Sequence, residues 1–345
     1  MNALASIQKK QGVVLVNVGT PDDPSVPAVR RYLAQFLNDP RVIDLSPLAR
    51  WLLLNLIILP FRPSRSAHAY QQIWTPQGSP LLVNSKAQVE ALRAELPGVE
   101  VELAMSFGKP SMQDAYSALQ ARGVTHITMV PMYPQYASAT SGGTVEAWHK
   151  LMGLQIQPPS TSVMPAFHSR PGFIEAAADQ IRETVKSVNA DHVLFSFHGL
   201  PVRQLKPVCG TARCAEKTAA CPPISAENEN CYRAQCFATS RALIAAAGLT
   251  VSETTTSFQS RIKGATWLSP HTDEVVAELA KRGVKRLAVA CPSFVADCLE
   301  TLEEIGMRAA ETFREAGGES LTLIPAVNAS PKFIAMLAHE LRAGP

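Results

Sequence analysis

The run HVLFSFHGLP, His192–Pro201, reads as a strand with no wet face. A half-buried strand alternates apolar and polar positions. Between Val193 and Phe197 only Ser196 is polar, the pattern of a parallel strand covered on both sides. Gly199-Leu200-Pro201 then ends the run. Six other segments read as strands, most of them apolar throughout: GVVLVNVG from Gly12, VEVELAMSF from Val99, HITMVPMY from His126, ETTTSFQS from Glu253, RLAVACPSF from Arg286 and LTLIPAV from Leu321. Helical patterns lie between them. PSMQDAYSALQARG offers Ser111 as an N-cap, Asp114 three residues on and Gly123 as a stop, and HTDEVVAELAKRG repeats the pattern from Thr272 to Gly283. The β-α-β-α order predicts an α/β protein with parallel sheets, and 345 residues suggest two such sheets in succession. The proline- and serine-rich segment Leu154 to Pro171 is the expected break between them. Ligands of such folds bind beyond the carboxyl ends of the strands, so the residues after each strand matter most.

Composition removes several classes of function. Hydrophobic residues make up 46% of the chain, enough for a substantial core in each half. A net charge of +3, from 32 Lys and Arg against 29 Asp and Glu with no basic stripe, gives no footprint for nucleic acid. Two lysines precede the first apolar run, but it stops at Gly19-Thr20-Pro21 and acidic residues, too short and wrongly flanked for a secretory signal. The most apolar segment, WLLLNLIILPF from Trp51 to Phe61, is about half the ~20 residues that span a bilayer. A reducing, cytoplasmic compartment is therefore expected, in which clustered cysteines bind metal or do redox chemistry rather than form disulfides.

Two strand ends carry candidate chemistry. His198 closes the HVLFSFH strand at the ligand-binding edge; a lone histidine is more often structural, but its position favours function. Asp297 and Glu300 follow the RLAVA strand with i, i+3 spacing, which puts both carboxylates on one helix face. The same spacing makes a capping box, so catalysis and capping compete here, and both can hold for Asp297. Imidazole with carboxylates suits a divalent cation or proton transfer.

Five of the seven cysteines fall between Cys209 and Cys236, spaced C-x4-C-x6-C-x9-C-x4-C through Cys214, Cys221 and Cys231. No helix period places them on one buried stripe, and the residues between are largely polar. Four thiolates can hold zinc or an iron-sulfur cluster, and the spacing matches no standard run of either. Pro207 to Glu229 is also longer than ordinary connections, which marks it as functional, metal-stapled or disordered.

Together these blocks resemble the ferrochelatase family, enzymes that insert ferrous iron into a porphyrin to make haem. The resemblance runs through LVNVGTP from Leu15, LAQFLNDPRVIDL from Leu33, YQQIW from Tyr70, GSPL from Gly78, YPQYASATSGG from Tyr133, SFHGLP, FQSR from Phe258, TWLSPHTDE from Thr266 and CPSFVADCLETLEE. It implies two similar Rossmann-like or flavodoxin-like domains of the class II chelatase type, each with a four-stranded parallel sheet, and a cleft between them. The implied units are residues 1–160 with a hydrophobic lip at about 47–62, residues 161–325 with the cysteine-rich insert at about 207–236, and a C-terminal helix, 326–345, returning to the first domain.

By that resemblance His198 is the active-site histidine, Glu300 the acidic residue paired with it across the cleft, and Asp297 a second acidic position. His198 and Glu300 would meet the substrate iron; Val18, Tyr133 and Trp267 would line the porphyrin pocket. The implied substrates are protoporphyrin IX and Fe2+, and WLLLNLIILPF would rest on a membrane surface or join a homodimer of an otherwise monomeric chain. Ser106-Phe107 stands where many relatives have Arg-Tyr, removing a charge near the cleft. Some ferrochelatases hold a 2Fe-2S cluster through C-terminal cysteines and one in the first domain. Here nothing after Cys298 is a cysteine, and Ser138 occupies the first-domain place. The expected ligands are instead Cys209, Cys214, Cys221 and Cys231, with Cys236 as an alternative and zinc as the alternative metal. The competing functions are a chelatase for coproporphyrin III or another metal, and a non-catalytic haem or iron-sulfur sensor.

Overall fold

The computed structural model describes residues 10–205, 221–261 and 266–344. Among them eight strands form two parallel four-stranded sheets. The first holds β1 (Gln11–Thr20), β2 (Glu100–Gly108), β3 (His126–Pro131) and β4 (Ser160–Val163) in the order 2-1-3-4. The second holds β5 (His192–His198), β6 (Thr254–Gln259), β7 (Arg286–Ala290) and β8 (Ser320–Leu323) in the order 6-5-7-8, so one topology occurs twice. Helices α1 (Val26–Leu37), α2 (Pro47–Leu52), α3 (Leu59–Ile73) and α4 (Pro80–Glu95) lie between β1 and β2. Then come α5 (Met112–Ala121), α6 (Gly143–Gly153) and α7 (Pro171–Val188). The second half carries α8 (Tyr232–Ala247), α9 (Thr272–Lys281), α10 (Ala310–Glu315) and α11 (Pro331–Ala343).

The apolar runs are the strands, for the reason that predicts them: Val13 to Val16 and Val193 to Phe197 are buried throughout, with helices on both faces. Ser111 caps α5 as expected. Its hydroxyl accepts from the Asp114 amide at 3.1 Å while the Asp114 carboxylate accepts from the Ser111 amide at 2.8 Å. The second helix start differs. His271 holds the cap position of α9, and the Thr272 hydroxyl is buried against those of Ser196 and Ser257, both at 2.8 Å.

The domain break also needs correction. Within the segment expected to be a linker, Ser160–Val163 pairs in parallel with β3, so the first sheet extends to Val163 and a boundary at 160 would cut it. STSV is short and has one apolar residue, which leaves no hydrophobic run to find.

The halves are locked by an exchange of helices. After β4 the chain leaves the first sheet and packs α7 against α8; after β8 it packs α11 against α4 of the first half and against α7. Phe167, Phe173 and Phe333 meet at this junction, with the Phe173 edge against Phe167 at 5.6 Å and against Phe333 at 6.2 Å. One hydrophobic core thus runs through both halves, from Leu15 and Leu103 to Phe195 and Phe258.

Candidate active site

Both sheets direct their carboxyl ends toward a single cavity of about 1150 Å3 between the halves. The volume exceeds the roughly 300–1,000 Å3 of ordinary small-molecule sites and is open enough to admit a macrocycle. The first half contributes Val18 at the end of β1, Phe36 of α1, Tyr133 after β3, and Arg62 and Arg65 of α3. From the second half come His198, Trp267, Ser293 and Glu300. His198 and Glu300 therefore share one half of the molecule, and the first half supplies the facing walls.

His198 is the last residue of β5. Its Nδ1 lies 2.7 Å from the Gly199 carbonyl oxygen, which can only accept, so in the neutral ring the proton sits on Nδ1 and the lone pair on Nε2. Glycine is required at 199: a Cβ there would stand 2.7 Å from the Gln259 carbonyl oxygen. Glu300 opens a π-helical stretch, Glu300–Ala309, and its carbonyl accepts from Gln259 Nε2 at 3.0 Å. Wound this way, the helix presents Glu303 and Glu304 to the same cavity. Burial holds the Glu304 carboxyl above the usual range, although the Ser260 hydroxyl (2.7 Å) and amide (3.1 Å) both donate to it. Ser260 adopts the left-handed conformation, with φ of 66°, that places both donors on one carboxylate.

Asp297 is not part of this wall. Its carboxylate accepts from Asn328 Nδ2 at 2.8 Å, the Thr301 hydroxyl at 3.0 Å and the Ala326 amide at 3.3 Å. Its own amide donates to Asn328 Oδ1 at 3.0 Å, where a capping box would have used Glu300. The residue fastens the chain after β8 to the helix start. The structure thus gives Asp297 a structural task and does not bring it to the cavity with His198 and Glu300.

Tyr133 is buried, its hydroxyl 3.4 Å from that of Ser106, and burial raises its pKa. The indole Nε1 of Trp267 is buried without a hydrogen-bond partner. Arg62 and Arg65 are not among the residues the sequence singles out, since Arg62 ends the apolar lip and Arg65 lies beyond it; the Arg-x-x-Arg spacing on one helix face is the available signal. The lip itself is exposed, with Leu48 at 69%, Leu56 at 60% and Phe61 at 76% of full accessibility. Among the described residues no helix is long and apolar enough to cross a membrane.

Of the clustered cysteines, Cys209 and Cys214 lie outside the described residues. Cys221 receives a hydrogen bond from the buried Arg233 guanidinium, Nη1 to Sγ at 2.8 Å, and that guanidinium stacks over Phe237 at 4.7 Å. Cys231 is buried at the amino-terminal end of α8, where the helix dipole presents positive potential to an anionic group. Both settings fit thiolate ligands. Cys236 differs, being packed in the apolar core with its thiol pushed up by burial.

The family model for ferrochelatase matches residues 10–343. The chain belongs to the ferrochelatase family. It is 46% identical over 332 residues to a ferrochelatase of Coxiella burnetii, covering 95% of this chain and 92% of the relative. It is 43% identical over 327 residues to a ferrochelatase of Legionella pneumophila, covering 94% and 96%. Among solved structures, SirB from Bacillus subtilis superposes with a TM-score of 0.54 at 12% identity over 96% of this chain and 94% of that one, a likeness of fold alone. A member of this family is a lyase of haem biosynthesis, and its substrates are a porphyrin and iron.

Proposed function

We propose that this ferrochelatase inserts Fe2+ into protoporphyrin IX, with His198 and Glu300 at the reacting centre. The observation that carries this reading is the convergence of His198 and the Glu300 helix on one cavity whose facing walls include Val18, Phe36 and Tyr133. Metal entry displaces two pyrrole protons. The Nε2 lone pair accepts the first, and the acidic side chains of the π-helical stretch stabilise the resulting charge and carry protons outward; a carboxyl with a raised pKa, such as Glu304, is suited to that exchange. Tyr133, Val18 and Trp267 hold the ring from both sides, with binding of its remote parts offsetting distortion of the macrocycle. Arg62 and Arg65 line the same cavity and can pair with carboxylate substituents of a porphyrin. The exposed lip of Leu48, Leu56 and Phe61 suits a membrane surface from which an apolar substrate is drawn.

The test is steady-state insertion with protoporphyrin IX and coproporphyrin III by the wild-type protein and His198→Ala. The expected result is preference for protoporphyrin and loss of nearly all turnover in the variant, with an unchanged melting temperature. Near-normal turnover by His198→Ala would remove the histidine from the mechanism; preference for coproporphyrin would reassign the substrate.

The same reading includes a 2Fe-2S cluster on Cys209, Cys214, Cys221 and Cys231, with Cys236, buried in the apolar core beside them, as the alternative ligand. Such a group supplies a one-electron redox centre. Visible absorption of anaerobically purified protein, before and after dithionite, should show bands that bleach on reduction. Each Cys→Ser change at a ligand should remove them, whereas Cys236→Ser should keep full colour. A colourless, active protein would point to zinc or free thiols.

A further inference from the structure

The backbone of His198 lies just beyond the end of its sheet on one side. β5 pairs with β6 up to His198 itself, opposite Gln259, but with β7 only up to Phe195, opposite Ala290. Where the β7 ladder has stopped, side chains take over. The Tyr232 hydroxyl lies 2.8 Å from the His198 carbonyl oxygen and 3.0 Å from Ser293 Oγ, and the His198 amide donates to Ser293 Oγ at 3.4 Å. Only one assignment of hydrogens satisfies all three contacts. Tyr232 has a single proton and the carbonyl can only accept, so Tyr232 donates to His198; Ser293 donates to Tyr232; and the His198 amide donates to Ser293. The bonds close a ring in which every donor is used once, an arrangement in which each bond polarises the next.

We infer that Tyr232 and Ser293 are positioning residues for the metal-insertion step, holding the His198 backbone so that its imidazole faces the cavity. The inference rests on the proposed role of His198. Tyr232 follows Cys231 directly, so the clamp is anchored at the first residue of α8, beside the cysteine segment.

The experiment is a comparison of Tyr232→Phe, Ser293→Ala and the double variant, each alone and combined with His198→Ala, by steady-state kinetics and thermal melting. Tyr232→Phe removes only the hydroxyl. The expected result is a fall in kcat of about 10- to 100-fold, the range that misplacement by an ångström produces. KM for porphyrin should be unchanged, and the double variant should be no worse than the poorer single one, because the ring breaks once. In the His198→Ala background neither change should reduce the residual turnover further. If Tyr232→Phe fails to fold, Ser293→Ala carries the same comparison. Wild-type kcat in the folded single variants, a change confined to KM, or equal losses with and without His198 would overturn the clamp. High activity of His198→Ala would instead sink the histidine assignment, so the two failures are told apart.

Discussion

His168 gives the fold an expected acid limit. It follows β4, where the chain crosses between the halves, and its Nδ1 is buried without a partner. Burial lowers its pKa from 6.5 to about 4. The unfolded chain therefore binds this proton more tightly, and the stability tied to the neutral ring is present above pH 6.5 and lost as the pH falls toward 4. The full shift would correspond to about 3 kcal/mol; because the ring is only partly buried, about 1–2 kcal/mol is expected. Asn328 occupies the matching place after β8. His168→Asn should therefore melt close to wild type at pH 7 and lose less on acidification to pH 4.5. Equal losses in the two proteins would assign the acid limb to other groups. The residue scale is also where sequence reading was weakest. His198 was legible because a strand end announced it, whereas the role of Asp297 depends on Asn328, 31 positions away, and spacing along the chain cannot reveal that claim on its carboxylate. Tyr232 was hidden for the same reason, as a tyrosine among cysteines that matters only through the His198 carbonyl.

At the scale of elements, reading was good where the physics is local. A run such as HVLFSFH is a buried strand in nearly any context, and its predicted bounds are those found. Two kinds of element escaped. β4 has too little apolar surface to mark itself and exists because β3 offers a parallel edge. The π-helical stretches at Leu53–Ile58, Ser138–Gly142 and Glu300–Ala309 carry no distinct periodic signal over so few turns, yet they open or join helices that border the cavity. The last of these matters most for chemistry. Its winding aims Glu300, Glu303 and Glu304 at one space, and the i, i+3 argument from an α-helix chose Asp297 and Glu300 instead.

In the whole molecule the same α/β topology is used twice and made chemical once. Val18-Gly19-Thr20-Pro21 ends β1 as His198-Gly199-Leu200-Pro201 ends β5, so the position that holds imidazole in one half holds an isopropyl group in the other. A cavity with walls from one half and reactive groups from the second works only if the halves stay in register, and the exchanged helices α7 and α11 provide that. Phe333 of α11 is fully buried and touches Phe167 and Phe173, the residues that bring α7 across. Truncating such a ring to Ala typically costs about 3–5 kcal/mol, a large fraction of the ~5–15 kcal/mol that holds a domain folded. Because the core is continuous, the loss should be felt on both sides of the cleft. Hydrogen exchange of Phe333→Ala should show peptides from β1 and β5 losing protection together, within a single melting transition. Loss of protection in β5 alone, with β1 unchanged, would mean that each half folds on its own and that the exchanged helices only tether them.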